Sequence, residues 1–179
     1  METAPDLQDA CEALLPAYAR ARREPERWAL LTRACLQRRP LERSGELGPA
    51  SAERFDRIAL QLMLEPDADP GSLLITDVER ASDVLCGLWL ARRSGLFRPS
   101  STMRGSAGTC SRLGLVPAFK AASLGHAAYL LATLYANGAY KRHLAARGNA
   151  QQVLLASADG DTHERLTRQA RSWGVELSA

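Results

Sequence analysis

Apolar residues recur at three- and four-residue spacing near the start of the chain. Leu7, Cys11, Leu14, Leu15 and Tyr18 form one stripe, and Trp28, Leu31 and Cys35 form another. These stripes predict amphipathic helices over residues 6–22 and 26–38, with Pro25 suited to open the second. Residues 39–50, RPLERSGELGPA, read as a linker because Pro and Gly interrupt both helix and strand. A third helix is expected from Ser51 to Glu65, with Phe55, Ile58, Ala59, Leu62 and Met63 in phase, and PDADPG ends it. SLLITDV then reads as a short strand reaching Asp77, followed by a helix over 79–93 that turns Val84, Leu85, Leu88 and Trp89 inward. Residues 94–112, rich in Gly and Ser, should form a long loop or short strands, and LGLVPAF a second main strand.

The last third has a different texture. Residues 121–136 carry no charge, and only Ser123, His126 and Thr133 are plainly polar. A helix apolar almost all round must be covered on most sides. At about 1.5 Å per residue it is too short to span a bilayer comfortably, so it is expected between layers of a protein core. QVLLASADGD follows as a buried strand, and DTHERLTRQARSWG as a helix with Leu166, Ala170 and Trp173 on one side. Val175 to Leu177 would be a last strand after Gly174 caps that helix. A covered helix feeding a buried strand predicts a layered α/β protein. The expected organisation is a helical N-terminal extension over 1–45 and an α/β domain over 46–179.

Composition narrows the function classes only a little. A chain of 179 residues with mixed charges is an ordinary globular domain, or one domain with an appendage. Its net charge of +3 does not argue for nucleic acid. Nearly all the cations are Arg, with Lys120 and Lys141 the two lysines. The opening METAPDLQDA is acidic and lacks an apolar run, so no signal peptide, no membrane association and a cytoplasmic location are expected. Cys11, Cys35, Cys86 and Cys110 are widely spaced, with no CxxC and no Cys/His pair, so no metal is expected. Cys110 lies in the Gly/Ser-rich stretch and is the cysteine to test for reactivity. No Walker or GxGxxG loop is present, and no cofactor is expected.

Over about residues 50–160 the chain resembles the N-terminal half of a β-ketoacyl synthase. The resemblance is carried by RFDRIALQLML, by SLLITDV, and by RLGLVPAFKAASLGHAAYLLATLYANG followed by QQVLLASADG. It implies a layered thiolase-like half with a buried central helix, and a role in fatty-acid or polyketide-type biosynthesis. Ketosynthases place a cysteine at the N-terminus of the buried helix, where the helix dipole favours thiolate. This chain has Ala121, Ala122 and Ser123 there, with His126 about one turn on. Ser123 and His126 are therefore the candidate catalytic pair, in which serine would need the base for activation. His143 and His163, in polar and expectedly exposed surroundings, do not replace the histidines of the family's second half. The resemblance thus implies a partner subunit without a complete active site, working with a ketosynthase or an acyl carrier protein, or as a homo-oligomer.

Two other classes compete. Asp77, Asp159 and Asp161 follow strand candidates, as metal-binding acids do in NYN/PIN-type nucleases. Against that, Asp161 also suits a helix cap before Thr162. The Arg-rich segments YARARREPERW and CLQRRPLER would suit a non-enzymatic binding module. A solvated face interleaved with Glu24, Glu26 and Glu42 explains them better.

Overall fold

A computed structural model of the chain describes residues 1–37, 48–98, 110–120, 124–156, 164, 167–168, 171 and 176–178. The opening is a two-residue strand, β1 (Glu2–Thr3), then helices α1 (Ala4–Leu14), α2 (Pro16–Arg20), α3 (Glu24–Leu36) and α4 (Ala50–Leu64). Strand β2 (Ser72–Thr76) and helix α5 (Ala81–Arg93) follow, then β3 (Phe97–Arg98), β4 (Cys110–Ser111) and β5 (Gly114–Lys120). The chain continues through α6 (Leu124–Ala136), α7 (Gly138–Ala145), β6 (Ala150–Gln152), β7 (Leu154–Ala156) and β8 (Glu176–Ser178).

Four strands form a parallel sheet in the order β1-β2-β5-β7. The register sets Leu73 against Leu115 and Phe119 against Leu155. β3 and β4 pair antiparallel, and β6 and β8 pair parallel. The mixed α/β class is as predicted, with a parallel sheet and seven helices among the described residues. This strand order does not establish the thiolase-like layering that the ketosynthase resemblance implied. The expected boundary at residue 45 falls among residues 38–47, outside the described residues. The first three helices share one hydrophobic cluster with the sheet, through Leu7, Tyr18, Leu31 and Cys35.

The helix covered on nearly every side is α5, not α6. α5 lies against α1, α3, α6 and β5, and only Arg92 of its residues is not buried. The expected covered helix begins at Leu124 and buries Leu130, Leu131, Leu134 and Tyr135. Its other side, at Gly125, His126 and Tyr129, is exposed. A charge-free sequence permits this because small residues and a tyrosine expose little purely apolar surface.

Local signals set the helix ends. Thr3 caps α1 by accepting from the Asp6 N–H at 3.3 Å, with Pro5 in the first turn. Pro16 separates α1 from α2, where one helix over 6–22 was expected. α5 ends in a Schellman turn, with Gly95 at φ 84, Leu96 N–H donating to Ala91 O and Gly95 N–H to Arg92 O. Asn137 caps α7 by accepting from Ala139 and Tyr140 N–H. No helix among the described residues is long and apolar enough to cross a membrane.

Candidate functional site

In an open parallel α/β sheet, ligands bind outside the carboxyl ends of the strands, where the following loops and helix N-termini converge. Here that edge is formed by Thr3 ending β1, Thr76 and Asp77 ending β2, Lys120 ending β5 and Ala156 ending β7. Asp77 sits in the left-handed region at φ 57, which turns the chain sharply out of the sheet. Thr76 Oγ1 lies 3.4 Å from the Glu2 carbonyl and 3.3 Å from Asp77 Oδ2, so it locks the first two strand ends together.

The loop after β2 is tied to α6 and α5. His126 Nε2 lies 2.7 Å from the Glu79 carbonyl. A carbonyl only accepts, so Nε2 carries the proton and the imidazole bridges the two segments. Beside it opens a cleft of about 330 Å³, lined by Trp28, Arg80, His126, Tyr129, Leu130 and Thr133 among others. The α5 N-terminus next to this cleft is occupied by two carboxylates. Asp83 Oδ2 accepts from the Glu79 N–H at 3.0 Å and the Arg80 N–H at 2.8 Å, while Glu24 accepts from Ser82 N–H and Oγ–H. Burial holds the Asp83 carboxyl above its ordinary value, against the pull of its bonds to Arg80 and Glu79. The positive helix end is thereby neutralised from within.

A second cleft, of about 450 Å³, lies at the opposite edge and is lined by Asp69, Ser72, Gly114, His143, Arg147 and Gln151 among others. His143 corrects the sequence reading: it is buried rather than exposed, and its Nδ1 lies 2.6 Å from Ser111 Oγ. Gln151 donates to the Leu115 carbonyl at 2.8 Å and accepts from Tyr140 OH at 2.6 Å, so this wall is fixed.

Of the predicted site residues, His126 is on the rim of the carboxyl-edge cleft, and Ser123 lies outside the described residues. Asp77 is at the carboxyl edge, whereas Asp159, Asp161 and His163 lie outside the described residues. Among the described residues, no three His, Cys, Asp or Glu side chains are grouped so as to hold a metal. Sequence reasoning did not single out Lys120 as a site residue. The available signal was a rare lysine directly after a predicted strand.

The geometry defines a mixed α/β protein with a parallel sheet and a cleft beside the loop that follows β2. A family profile described as phosphoenolpyruvate carboxylase matches residues 7–163, so the chain belongs to that family. It is 29% identical over 153 residues to the phosphoenolpyruvate carboxylase of Xanthomonas euvesicatoria pv. vesicatoria (strain 85-10), an alignment covering 84% of this chain and 16% of the relative. The chain thus spans about a sixth of that relative's length. Family membership overturns the ketosynthase resemblance, and with it the assignment to fatty-acid or polyketide biosynthesis. It also displaces the nuclease and Arg-rich-module alternatives. The stretches read as ketosynthase-like, SLLITDV through QQVLLASADG, lie inside the matched region. Strand, loop and apolar helix recur in many α/β folds, so their order did not discriminate between families.

Proposed function

We propose that this chain is a carboxylase-related protein that binds phosphoenolpyruvate at the carboxyl edge of the β1-β2-β5-β7 sheet. The observation that carries the reading is the family match over residues 7–163, which takes in β2, β5 and β7 together with their carboxyl ends. Phosphoenolpyruvate is the compound in the family's name. It presents a phosphate and a carboxylate, and the last residue of β5 is a lysine, Lys120. A lysine is a compact cation suited to a phosphate oxygen. The α5 N-terminus, filled by Asp83 and Glu24, is closed to such an anion, so binding depends on side-chain cations. His126, on the rim of the cleft beside this edge, is the binding residue the reading adds.

Titration calorimetry of the 179-residue chain with phosphoenolpyruvate tests the reading, with pyruvate and inorganic phosphate as controls. Saturable binding to phosphoenolpyruvate, tighter than to either control and weakened at least about tenfold in Lys120→Ala, is expected for loss of a charged contact. No saturable binding, or binding indifferent to Lys120→Ala, overturns it.

A further inference from the structure

His126 is held in one tautomer by its neighbour. Its Nε2 lies 2.7 Å from the Glu79 carbonyl, which has no proton to give, so Nε2 carries the hydrogen. A neutral imidazole has one N–H, and its other nitrogen is then a bare acceptor. That nitrogen is Nδ1, and among the described residues nothing donates to it. His126 is exposed and lines the cleft of about 330 Å³. The neutral side chain therefore offers an incoming molecule a lone pair and no free N–H.

The other ionisable groups of this cleft are Glu79 and Arg80 from the loop after β2, Glu24 from α3 and Tyr129 from α6. Glu24 is committed to the Ser82 N–H and hydroxyl. On α5, Asp83 is committed to the N–H groups of Glu79 and Arg80. Arg80 is exposed and in no ion pair among the described residues, so it stands ready for an anion. Ionised phosphoenolpyruvate presents oxygens that only accept. Set against a bare Nδ1, such an oxygen meets a lone pair and is repelled. We propose that this chain binds phosphoenolpyruvate together with one proton, taken from solvent onto His126 Nδ1. The imidazolium keeps Nε2–H on the Glu79 carbonyl and donates Nδ1–H to an anionic oxygen, a charge-assisted hydrogen bond. No bond in the ligand breaks, and the complex holds the anion, the chain and the added proton. Uptake of a proton on binding makes affinity rise as pH falls, by up to about tenfold per pH unit. The inference rests on the phosphoenolpyruvate reading and adds the proton and its place.

Two measurements on the 179-residue chain test it, both at about pH 7.5, where the ligand phosphate has lost its last proton. Long-range proton–nitrogen NMR of the histidine rings reads each nitrogen separately, and His126→Gln identifies the signals. Free His126 should show a protonated Nε2 and a bare Nδ1, and saturation with phosphoenolpyruvate should protonate both. Titration calorimetry in buffers of different ionisation enthalpy should give an uptake approaching one proton per phosphoenolpyruvate. In His126→Gln, which should fold normally because the position is exposed, the uptake should fall to about zero. Phosphoenolpyruvate that binds with Nδ1 still bare overturns the proton link and leaves the binding reading standing. So does an uptake unchanged in His126→Gln. A free protein with the hydrogen on Nδ1 overturns the link before any ligand is added, and an absence of binding overturns both.

Discussion

His143 Nδ1 lies 2.6 Å from Ser111 Oγ, a contact that joins α7 to the short strand β4. The imidazole is buried, edge-on to Phe97 at 6.1 Å between ring centres and 5.4 Å from the centre of Tyr140. Burial, and then the nearby Arg147 charge, push its pKa down from 6.5 to about 3. A base that weak does not take a proton from serine at neutral pH. The pair is therefore a structural link and not a nucleophilic one.

The same shift makes stability pH-dependent with a defined sign. The native state keeps His143 neutral down to about pH 3, whereas the unfolded chain protonates it near 6.5. Between these values the unfolded state binds the extra proton, so stability is complete above about 6.5 and falls as pH drops toward 3. Asp83, whose carboxyl is raised, works in the opposite direction. Comparing urea unfolding of wild type and His143→Gln isolates the histidine. The wild type should lose up to about 1.4 kcal/mol more per pH unit across that window.

Asp83 should be costly to remove. It is 1% exposed and accepts three hydrogen bonds, from Glu79 N–H, Arg80 N–H and Gln8 Nε2–H, the last at 2.6 Å. Asp83→Ala removes a cap worth about 1 kcal/mol and strands buried donors. A total loss of about 2–4 kcal/mol is expected in chemical denaturation, with Asp83→Asn falling between that and wild type.

Gly114 is required by strand packing and not by backbone conformation. It pairs with Ser72 across β2 and β5, and a Cβ there would meet Ser72 Oγ at 2.3 Å and Ser72 Cβ at 3.1 Å. Gly114→Ala should lower stability by about 1–3 kcal/mol, as overpacking does. If the clash is the cause, adding Ser72→Gly should recover part of the thermal midpoint.

Much of the fold was legible because its elements carry their own periodicity. The stripe Phe55, Ala59, Leu62 and the run SLLITDV mark α4 and β2 within a few residues. β1, with only Glu2 and Thr3, cannot display alternation, and its pairing with Ile75 and Thr76 is a tertiary fact. α7, with sequence GAYKRHLA, is too short and polar for a pattern, yet it buries Tyr140, His143 and Leu144. For the same reason His143 read as exposed: its polar neighbours in sequence are not its neighbours in space. His126 read as half of a catalytic pair with Ser123, and the structure places it on the rim of a cleft beside Trp28 and Arg80. The place of Lys120 was not legible, because only the sheet shows that its strand runs between β2 and β7.

The four cysteines should separate cleanly on labelling. Cys11, Cys35 and Cys86 are fully buried, and burial pushes the Cys11 and Cys35 thiols up. Cys86 Sγ–H donates to Tyr18 OH at 3.4 Å. Cys110 is exposed at the start of β4. Mass spectrometry after brief alkylation at neutral pH should find one adduct on the native protein, lost in Cys110→Ser, and four after denaturation.

The two sides of α6 should respond oppositely to one charge. Leu131 is fully buried, and Tyr129, two residues earlier, is 66% exposed. An unpaired carboxylate at Leu131 costs several kcal/mol of a total stability of about 5–15 kcal/mol. Leu131→Asp should therefore be largely unfolded by circular dichroism at 25 °C, as should Leu88→Asp in α5. Tyr129→Asp should keep its thermal midpoint within a few degrees, since surface changes usually stay within about 0.5 kcal/mol. A helix covered on all sides would lose its fold in both α6 variants, so the Tyr129 result decides between a sandwiched helix and one with a wet face. If Tyr129→Asp unfolds the protein alongside Leu131→Asp, that side of α6 is covered in solution by something that excludes water, and the cleft between Trp28 and His126 is the place to look for it.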